Sequence, residues 1–472
     1  MFFRQIFEEK LAQYAYLVGC QRTGEALVID PMRDVERYRR IAADEGLRLV
    51  AATETHIHAD FLSGVRELVE AHGVTAWLSA EGGEGWEYTW PDPARHDVRW
   101  LRHGDAFHVG HIRLEAVHTP GHTPEHLSFL VTDEGGGASE PMGIASGDFV
   151  FVGDLGRPDL LETAAGVAGA MEPSARRLFA SATRFLELPD WLQVWPGHGA
   201  GSACGKALGA VPESTVGYER RFSAALDVVQ RSEQEFVDYI LSGQPEPPVY
   251  FAEMKRLNRD GPPLLGALPE PGRLDAAGLR AAVADPGTVV VDTRADRAAW
   301  MRGHLAGSLY APLDKTFPTI VGSYVTLEQK VVLIVDEERV QEAVLDLVRI
   351  GYDHVPGWAD PSLLADATDL VSTDVIDMAE LERRRHRAGA LTLDVRRLDE
   401  YEAGHVPGAL NIAHTRLRLR EGEVPKDREV LVYCRTGARA APATALLERD
   451  GYRAVYVDDE FAAWAPQAVH PA

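Results

Sequence analysis

The sequence predicts an α/β protein in three parts. Short apolar strands and glycine-rich turns fill roughly the first 240 residues, prolines and glycines cluster over 244–272, and the remainder contains a repeat. Each copy of the repeat alternates strand and helix, which predicts a parallel sheet covered on both faces. A chain of 472 residues has room for three domains of ordinary size.

The strands and helices can be taken in order. ALVID (26–30) and LVAAT (49–53) read as buried strands, each running into polar residues. The span 221–241 reads as helix, with Phe222, Leu226, Val229, Phe236 and Ile240 at helical spacing. Ser232 and Glu235 fit a capping box, so two helices are expected to meet there. The prolines of 244–272 remove backbone donors and stiffen the chain, which suggests a linker or surface wrap. Beyond it, VVVDTRADRAAWMRGHLAGSLYAPL (289–313) is echoed by LTLDVRRLDEYEAGHVPGALNIAH (391–414), with Asp292, Arg294 and His304 matching Asp394, Arg396 and His405. The period of about one hundred residues is that of a duplicated domain, too long for a solenoid unit. The expected division is 1–243, a linker over 244–272, 273–370 and 371–472.

Composition narrows the function. Lys and Arg number 48 against 72 Asp and Glu, a formal net charge of −24. So acidic a surface opposes nucleic acid or an anionic membrane as partner. At 45% hydrophobic and 25% charged the chain reads as globular. No run of 18 apolar residues and no basic-then-apolar leader is seen, so no transmembrane helix or signal peptide is expected. Three widely spaced cysteines, Cys20, Cys204 and Cys434, suggest a reducing, cytoplasmic setting and no disulfide framework.

Two motifs carry chemistry. In the first part, His56, His58 and Asp60 follow the strand 49–53 at period two, which sends them to one side if the backbone stays extended. Tight turns then present His122 (Thr119-Pro120-Gly121-His122), Asp148 (Ser146-Gly147-Asp148) and His198 (Trp195-Pro196-Gly197-His198). Histidines and carboxylates gathered at strand-to-loop junctions signal a metal site. In the last part, EVLVY (429–433) runs directly into Cys434-Arg435-Thr436-Gly437-Ala438-Arg439, with a helix expected next. A thiol between a strand end and a helix start faces unpaired backbone N–H groups, and Arg435 and Arg439 add positive charge. Such a cysteine is a nucleophile that can be held as thiolate or persulfide.

The first motif set resembles the metallo-β-lactamase superfamily over about the first 240 residues. The resemblance implies two mixed sheets face to face with helices outside and metals at one edge. The usual string is HxHxDH, whereas this chain reads HIHADF, so Phe61 replaces a ligand of the second metal and a single metal is expected. Two imidazoles and a carboxylate make the composition of the non-haem iron facial triad, whose open faces take substrate and dioxygen. The arrangement is similar to the persulfide dioxygenases. By position, that resemblance implies Fe(II) held by His56, His122 and Asp148, with His58, Asp60 and His198 orienting ligands or water. The stretch Gly147-Asp148 … Gly156-Arg157-Pro158-Asp159 matches that family's GD … GRxD, implying that Arg157 holds an anionic sulfur substrate. Where some members have a tyrosine two positions past the last histidine, this chain has Gly199-Ala200 and then Cys204, six residues after His198. Cys204 is therefore a candidate catalytic thiol, with Lys206 expected to lower its pKa.

The second motif resembles the rhodanese family over about 372–472, both in CRTGxR and in LDVRRLDEYEAGHVPGALNI. It implies a sulfurtransferase that cycles Cys434 between thiol and persulfide, with Asp394, Arg396 and His405 as framework. In the earlier copy Asp336 aligns with Cys434, and 15 residues rather than 17 separate it from the matching glycine, Gly351 against Gly451. Without thiol and cradle, 273–370 is expected to be an inactive rhodanese-like domain.

Together these readings predict a bifunctional enzyme resembling the persulfide dioxygenase–rhodanese fusions. Its partners would be a low-molecular-weight thiol persulfide, dioxygen and sulfite or thiosulfate, with no nucleic acid or membrane, and a homo-oligomer is expected. Glutathione, coenzyme A and bacillithiol all remain open as the carrier. The alternatives are a zinc thioesterase of the glyoxalase II type with a sulfur-handling tail, and a non-catalytic sulfur sensor.

Overall fold

The computed structural model describes residues 1–163, 166, 169–365, 367–387 and 389–464. The chain forms two compact units. The first comprises 1–244 and 251–266, and the second 245–250 and 267–472. The expected end of the last domain, 465–472, lies outside the described residues.

The first unit holds two six-stranded sheets. One runs β1 (Phe2–Glu8), β2 (Gln13–Cys20), β3 (Glu25–Ile29), β4 (Arg48–Thr53), β5 (Thr75–Ser79) and β6 (Val98–Leu101) in spatial order. Its first three strands are antiparallel and the rest parallel. The other has the order β12-β11-β10-β9-β8-β7, from β7 (Ala106–Val109), β8 (Ile112–His118), β9 (Leu127–Asp133), β10 (Gly143–Gly147), β11 (Gln193–Pro196) and β12 (Ser214–Thr215). Period-two alternation explains the layering. Along β2, Tyr16 and Val18 face the second sheet and pack with Leu114, Phe129 and Trp195. Their neighbours Ala15 and Leu17 face outward against helix residues Tyr38, Val65 and Leu68. On the far side, Ile144 and Val194 meet Leu178, Phe185, Leu226 and Phe236. The result is helix, sheet, sheet, helix, as the sequence resemblance implied.

The helical span expected over 221–241 is real but breaks twice. Ser232 accepts from the Glu235 N–H as expected, starting Glu233–Leu241. Ser223 caps Ala224–Val229 in the same way, a stop the apolar spacing did not reveal. The proline-rich stretch differs more from expectation. It contains a ten-residue helix, Phe251–Asp260, which belongs to the first unit, whereas 245–250 belong to the second. Met254 and Phe251 are buried, so this helix is part of the fold and not a free tether.

The second unit contains two five-stranded sheets, parallel throughout and of matching order. The earlier copy is β13-β18-β17-β14-β16, built from β13 (Gly272–Arg273), β14 (Thr288–Asp292), β16 (Leu309–Tyr310), β17 (Lys330–Ile334) and β18 (Gly357–Ala359). The later copy is β20-β24-β23-β21-β22, built from β20 (Asp374–Ile376), β21 (Ala390–Asp394), β22 (Leu410–Asn411), β23 (Glu429–Tyr433) and β24 (Arg453–Val457). A short ribbon of β15 (His304–Leu305) with β19 (Leu370–Val371) joins the first copy to the segment that leads into the second. Among the described residues, no helix is long and apolar enough to cross a membrane.

Candidate functional site

The sandwich gathers all six sequence-predicted His and Asp groups, all of them buried. His56, His122 and Asp148 form one donor set, with ligand atoms within 4.8 Å of one another. The Nε2 atoms of His56 and His122 lie 3.9 and 3.5 Å from Asp148 Oδ2. Neither Asp148 carboxylate oxygen has a hydrogen-bond partner. A buried carboxylate left bare is costly, so this geometry fits a bound cation.

The rest of the loop chemistry sets the tautomers. Asp30 accepts from the Thr55 N–H at 2.6 Å and the Thr55 hydroxyl at 2.9 Å. Because that hydroxyl donates to Asp30, its lone pair is left to accept from His56 Nδ1 at 2.9 Å. His56 therefore presents a free Nε2. His122 donates Nδ1–H to the Arg157 carbonyl at 2.9 Å, and His198 donates its own to the Ala12 carbonyl at 3.1 Å. All three rings thus turn Nε2 toward the Asp148 and Asp60 carboxylates. Burial holds both His56 and His122 below the ordinary imidazole pKa, which favours the neutral, ligating form. Among the described residues, the two non-glycine residues with positive φ, Ala12 at 51° and Asp30 at 52°, both serve this network. Strain at those positions goes with function.

His58 does not face the first donor set. Its Nε2 lies 3.1 Å from Asp30, and its ring packs on Phe61 at 4.3 Å. Burial alone would lower its pKa, but the Asp30, Asp60 and Glu54 carboxylates together outweigh burial and raise it to about 9. It is a charged brace for Asp30. Asp60 and His198 stand beside Asp148 with Cys204, forming a second set with ligand atoms within 4.8 Å. His198 Nε2 lies 3.3 Å from Asp60 Oδ2 and 3.5 Å from Asp148 Oδ1, and Asp60 Oδ2 has no hydrogen-bond partner. Phe61 thus removes one donor from the second position, while Cys204 supplies another.

Two expectations about side-chain roles change. Lys206 does not activate Cys204: its ammonium donates to the Tyr239 and Ser242 carbonyls at 2.6 and 3.0 Å and sits over the Tyr239 ring. Burial and the nearby Asp148 and Asp60 carboxylates instead push the Cys204 thiol pKa well up. The Arg157 guanidinium is buried in a bidentate pair with Asp159 at 2.8 and 2.6 Å, and it also holds the Ala203 carbonyl. Its contact with the site runs through its backbone carbonyl to His122.

Besides Asp30, three supporting residues escaped the sequence reading. His126 Nε2 accepts from the Asp148 N–H at 3.1 Å, setting the turn that presents the carboxylate. Glu125 accepts from the Ile57 N–H at 2.8 Å, between the two histidines of the loop. Asn258, on helix Phe251–Asp260, donates to the carbonyls of His58 and Phe61 and accepts from the Ser63 N–H. Only His126 left a trace, four residues after His122; the others act through long-range contacts with no local pattern.

A cleft beside His122 is lined by Ile57, Ala59, Trp86, Leu160, Leu161 and Phe251, with Lys255 over the Trp86 ring at 3.2 Å.

In the second unit, Cys434 is buried at the end of β23, ahead of helix Ala440–Arg449. Gly437 adopts φ +80°, which turns the loop back toward the helix start. Arg435 is exposed, whereas Arg439 is paired with Glu400 at 2.5 and 2.8 Å, so most of its charge is compensated. Asp394 and Arg396 form the expected buried pair, and His405 donates to the Tyr401 carbonyl, so all three are framework. In the earlier copy Asp336 stands at the equivalent strand end, followed by a short 3-10 turn, Glu337–Arg339.

Comparison with known proteins finds a family match in each of the two units. The metallo-beta-lactamase superfamily model matches residues 9–198, and the rhodanese-like domain model matches 377–467. The chain is 30% identical over 199 residues to the protein named persulfide dioxygenase ETHE1, mitochondrial, of Bos taurus, covering 41% of this chain and 67% of the relative. It is 31% identical over 187 residues to the hydroxyacylglutathione hydrolase of Polaromonas sp., covering 39% of this chain and 61% of the relative. A crystal structure titled metallo-beta-lactamase from Staphylococcus aureus subsp. aureus COL superposes with a TM-score of 0.68 at 41% identity, over 76% of this chain and 99% of the other. The chain belongs to the metallo-β-lactamase superfamily, in a form that carries persulfide dioxygenase homology in the sandwich and a rhodanese-like domain beyond it.

Proposed function

We propose that the protein oxidises a low-molecular-weight thiol persulfide with dioxygen and moves sulfane sulfur through Cys434. The carrying observation is the bare Asp148 carboxylate facing the free Nε2 atoms of His56 and His122. Iron(II) held by these three groups would supply the redox chemistry that adds both oxygen atoms to the terminal sulfur. The chain's own residues do the rest. Thr55 and the Arg157 carbonyl hold the imidazoles in one tautomer. Ile57, Trp86 and Phe251 exclude water, and Lys255 stands where a carboxylate of the thiol carrier can pair with it. The overall step balances as RSSH + O2 + H2O giving RSH, sulfite and two protons.

In the second unit, the Cys434 thiolate attacks the outer sulfur of a second persulfide; the S–S bond breaks and RSH leaves. The resulting Cys434 persulfide passes that sulfur to sulfite, giving thiosulfate and restoring the thiolate. Arg435, exposed beside Cys434, is the group to receive the anion. The reverse transfer from thiosulfate uses the same residues. The proposed setting is cytoplasmic, and the proposed assembly is a homo-oligomer.

The test is oxygen uptake by iron-loaded protein given a defined persulfide. Cys434→Ser is expected to keep uptake but release sulfite in place of thiosulfate. Enzymatic thiosulfate from that variant would refute the division of labour and point to Cys204.

A second reading has one observation in its favour. The set of Asp60, His198 and Cys204 can hold a second cation next to Asp148. A dinuclear zinc hydrolase would use both positions, with metal-bound hydroxide as nucleophile. Metal analysis separates the two: about one iron per chain supports oxidation, and two zinc ions at full occupancy support hydrolysis.

A further inference from the structure

We propose that the degenerate rhodanese-like copy forms part of the Cys434 site, with its Arg297 acting as a positioning residue behind the Cys434 loop. The inference rests on Cys434 being the sulfur carrier. It assigns a task to a domain that has lost its own thiol.

The physical chain is short. Arg297 opens the helix Arg297–Arg302 of the earlier copy. Its guanidinium donates to Asp458 Oδ1 at 2.8 Å, and Asp458 follows β24 of the later copy. The same Oδ1 accepts the Tyr456 hydroxyl, also at 2.8 Å. Both groups stand against the Cys434 loop: a Cβ placed on Gly437 would lie 2.2 Å from Tyr456 Oη and 2.8 Å from Asp458 Oδ1. The Arg297 guanidinium also lies over the Tyr456 ring, 5.8 Å from its centroid. A further tie from this end of the sheet is the Phe461 N–H, which donates to the Arg435 carbonyl at 2.9 Å.

The duplication makes the arrangement intelligible. In the later copy the equivalent short helix, Leu398–Glu402, supplies Glu400 to Arg439 of its own loop. In the earlier copy the same helix supplies a cation to Asp458, which stands behind the other copy's loop. The packing agrees: helix Ala440–Arg449 is buried from Ala440 through Leu447. A helix buried all round has cover on two sides. Here its own sheet covers one side, and β16 of the earlier copy lies against the helix as well. A second junction nearby sets His304 Nε2 of the earlier copy 3.7 Å from the Glu448 carboxylate of this helix.

Arg297 does two things at once. It compensates the Asp458 carboxylate, which would otherwise set an unpaired negative charge against a loop that must accept an anionic sulfur donor. It also fixes that carboxylate, and hence the Tyr456 hydroxyl, so that the tyrosine buttresses Gly437. Arg297 touches no reacting atom.

The experiment uses the full chain and steady-state sulfur transfer from thiosulfate to cyanide. Arg297→Ala should raise the KM for thiosulfate by roughly three- to tenfold and change kcat less than twofold, as expected for one unit charge uncovered behind a loop that binds a dianion from water. Arg297→Lys should restore KM to within about twofold. Adding Asp458→Asn to Arg297→Ala should lower KM again, because the uncovered charge is gone; a purely structural contact predicts further loss. Oxygen uptake with persulfide should be unchanged in all three. An unchanged KM in Arg297→Ala, or a double variant worse than the single, overturns the proposal. Sulfur transfer surviving in Cys434→Ser would instead overturn the reading on which it rests.

Discussion

Replacing Asn258 by alanine tests whether the proline-rich stretch is a tether or a working part of the metal site. Asn258 is buried and closes three hydrogen bonds around the loop that carries His56 and His58. Its amide donates to the His58 and Phe61 carbonyls at 2.8 and 2.7 Å, and its carbonyl accepts from the Ser63 N–H at 2.9 Å. Alanine leaves two carbonyls and one N–H without their partner. Each buried group so stranded costs about 1–3 kcal/mol, and water entering the vacated volume recovers part of it. A net loss of about 3 kcal/mol is expected. For a unit of this size that lowers the first-unit melting transition by about 6–12 °C. Asn258→Asp should do no better, because a carboxylate keeps the Ser63 bond but turns an acceptor toward two carbonyls. Calorimetry on the full chain reads the result directly. A shift under about 2 °C would show that helix Phe251–Asp260 is dispensable and that the hydrogen-bond argument is wrong.

Three further outcomes are expected. Thr55→Val keeps shape but frees His56 Nδ1 and one Asp30 oxygen, so metal affinity should fall roughly 10–100-fold in a chelator competition. Gly437→Ala sets a Cβ 2.2 Å from Tyr456 Oη at a φ of +80°, so thiosulfate–cyanide transfer should drop at least about tenfold while oxygen uptake is kept. Burial raises the Glu448 pKa to about 7, so its contribution to stability is fully present below the ordinary carboxylate pKa and is lost as pH rises through about 7. Glu448→Gln should therefore flatten the pH dependence of second-unit melting between about pH 5 and 7 and melt higher than the parent at pH 8.

Local rules carried the reading of this chain as far as short-range pattern reaches. The apolar runs ALVID and LVAAT, each leading into polar residues, read as buried strands and are found as β3 and β4. Tight Pro-Gly turns before His122 and His198 suggest presented imidazoles, and a thiol between EVLVY and a helix suggests a nucleophile loop. The repeat was legible because matching residues recur in matching order. The partners of those groups come from the packing of the sheets and helices. Asp30, Glu125 and Asn258 reach the metal loop from 25, 68 and about 200 positions away. No spacing rule spans such distances, because contact there depends on which faces the sheets bring together. The same holds for Lys206, whose closeness to Cys204 in sequence suggested activation while its stem leads the ammonium to the Tyr239 and Ser242 carbonyls. It holds also for Arg297, whose ion pair with Asp458 spans 161 positions and exists because the two copies pack against each other.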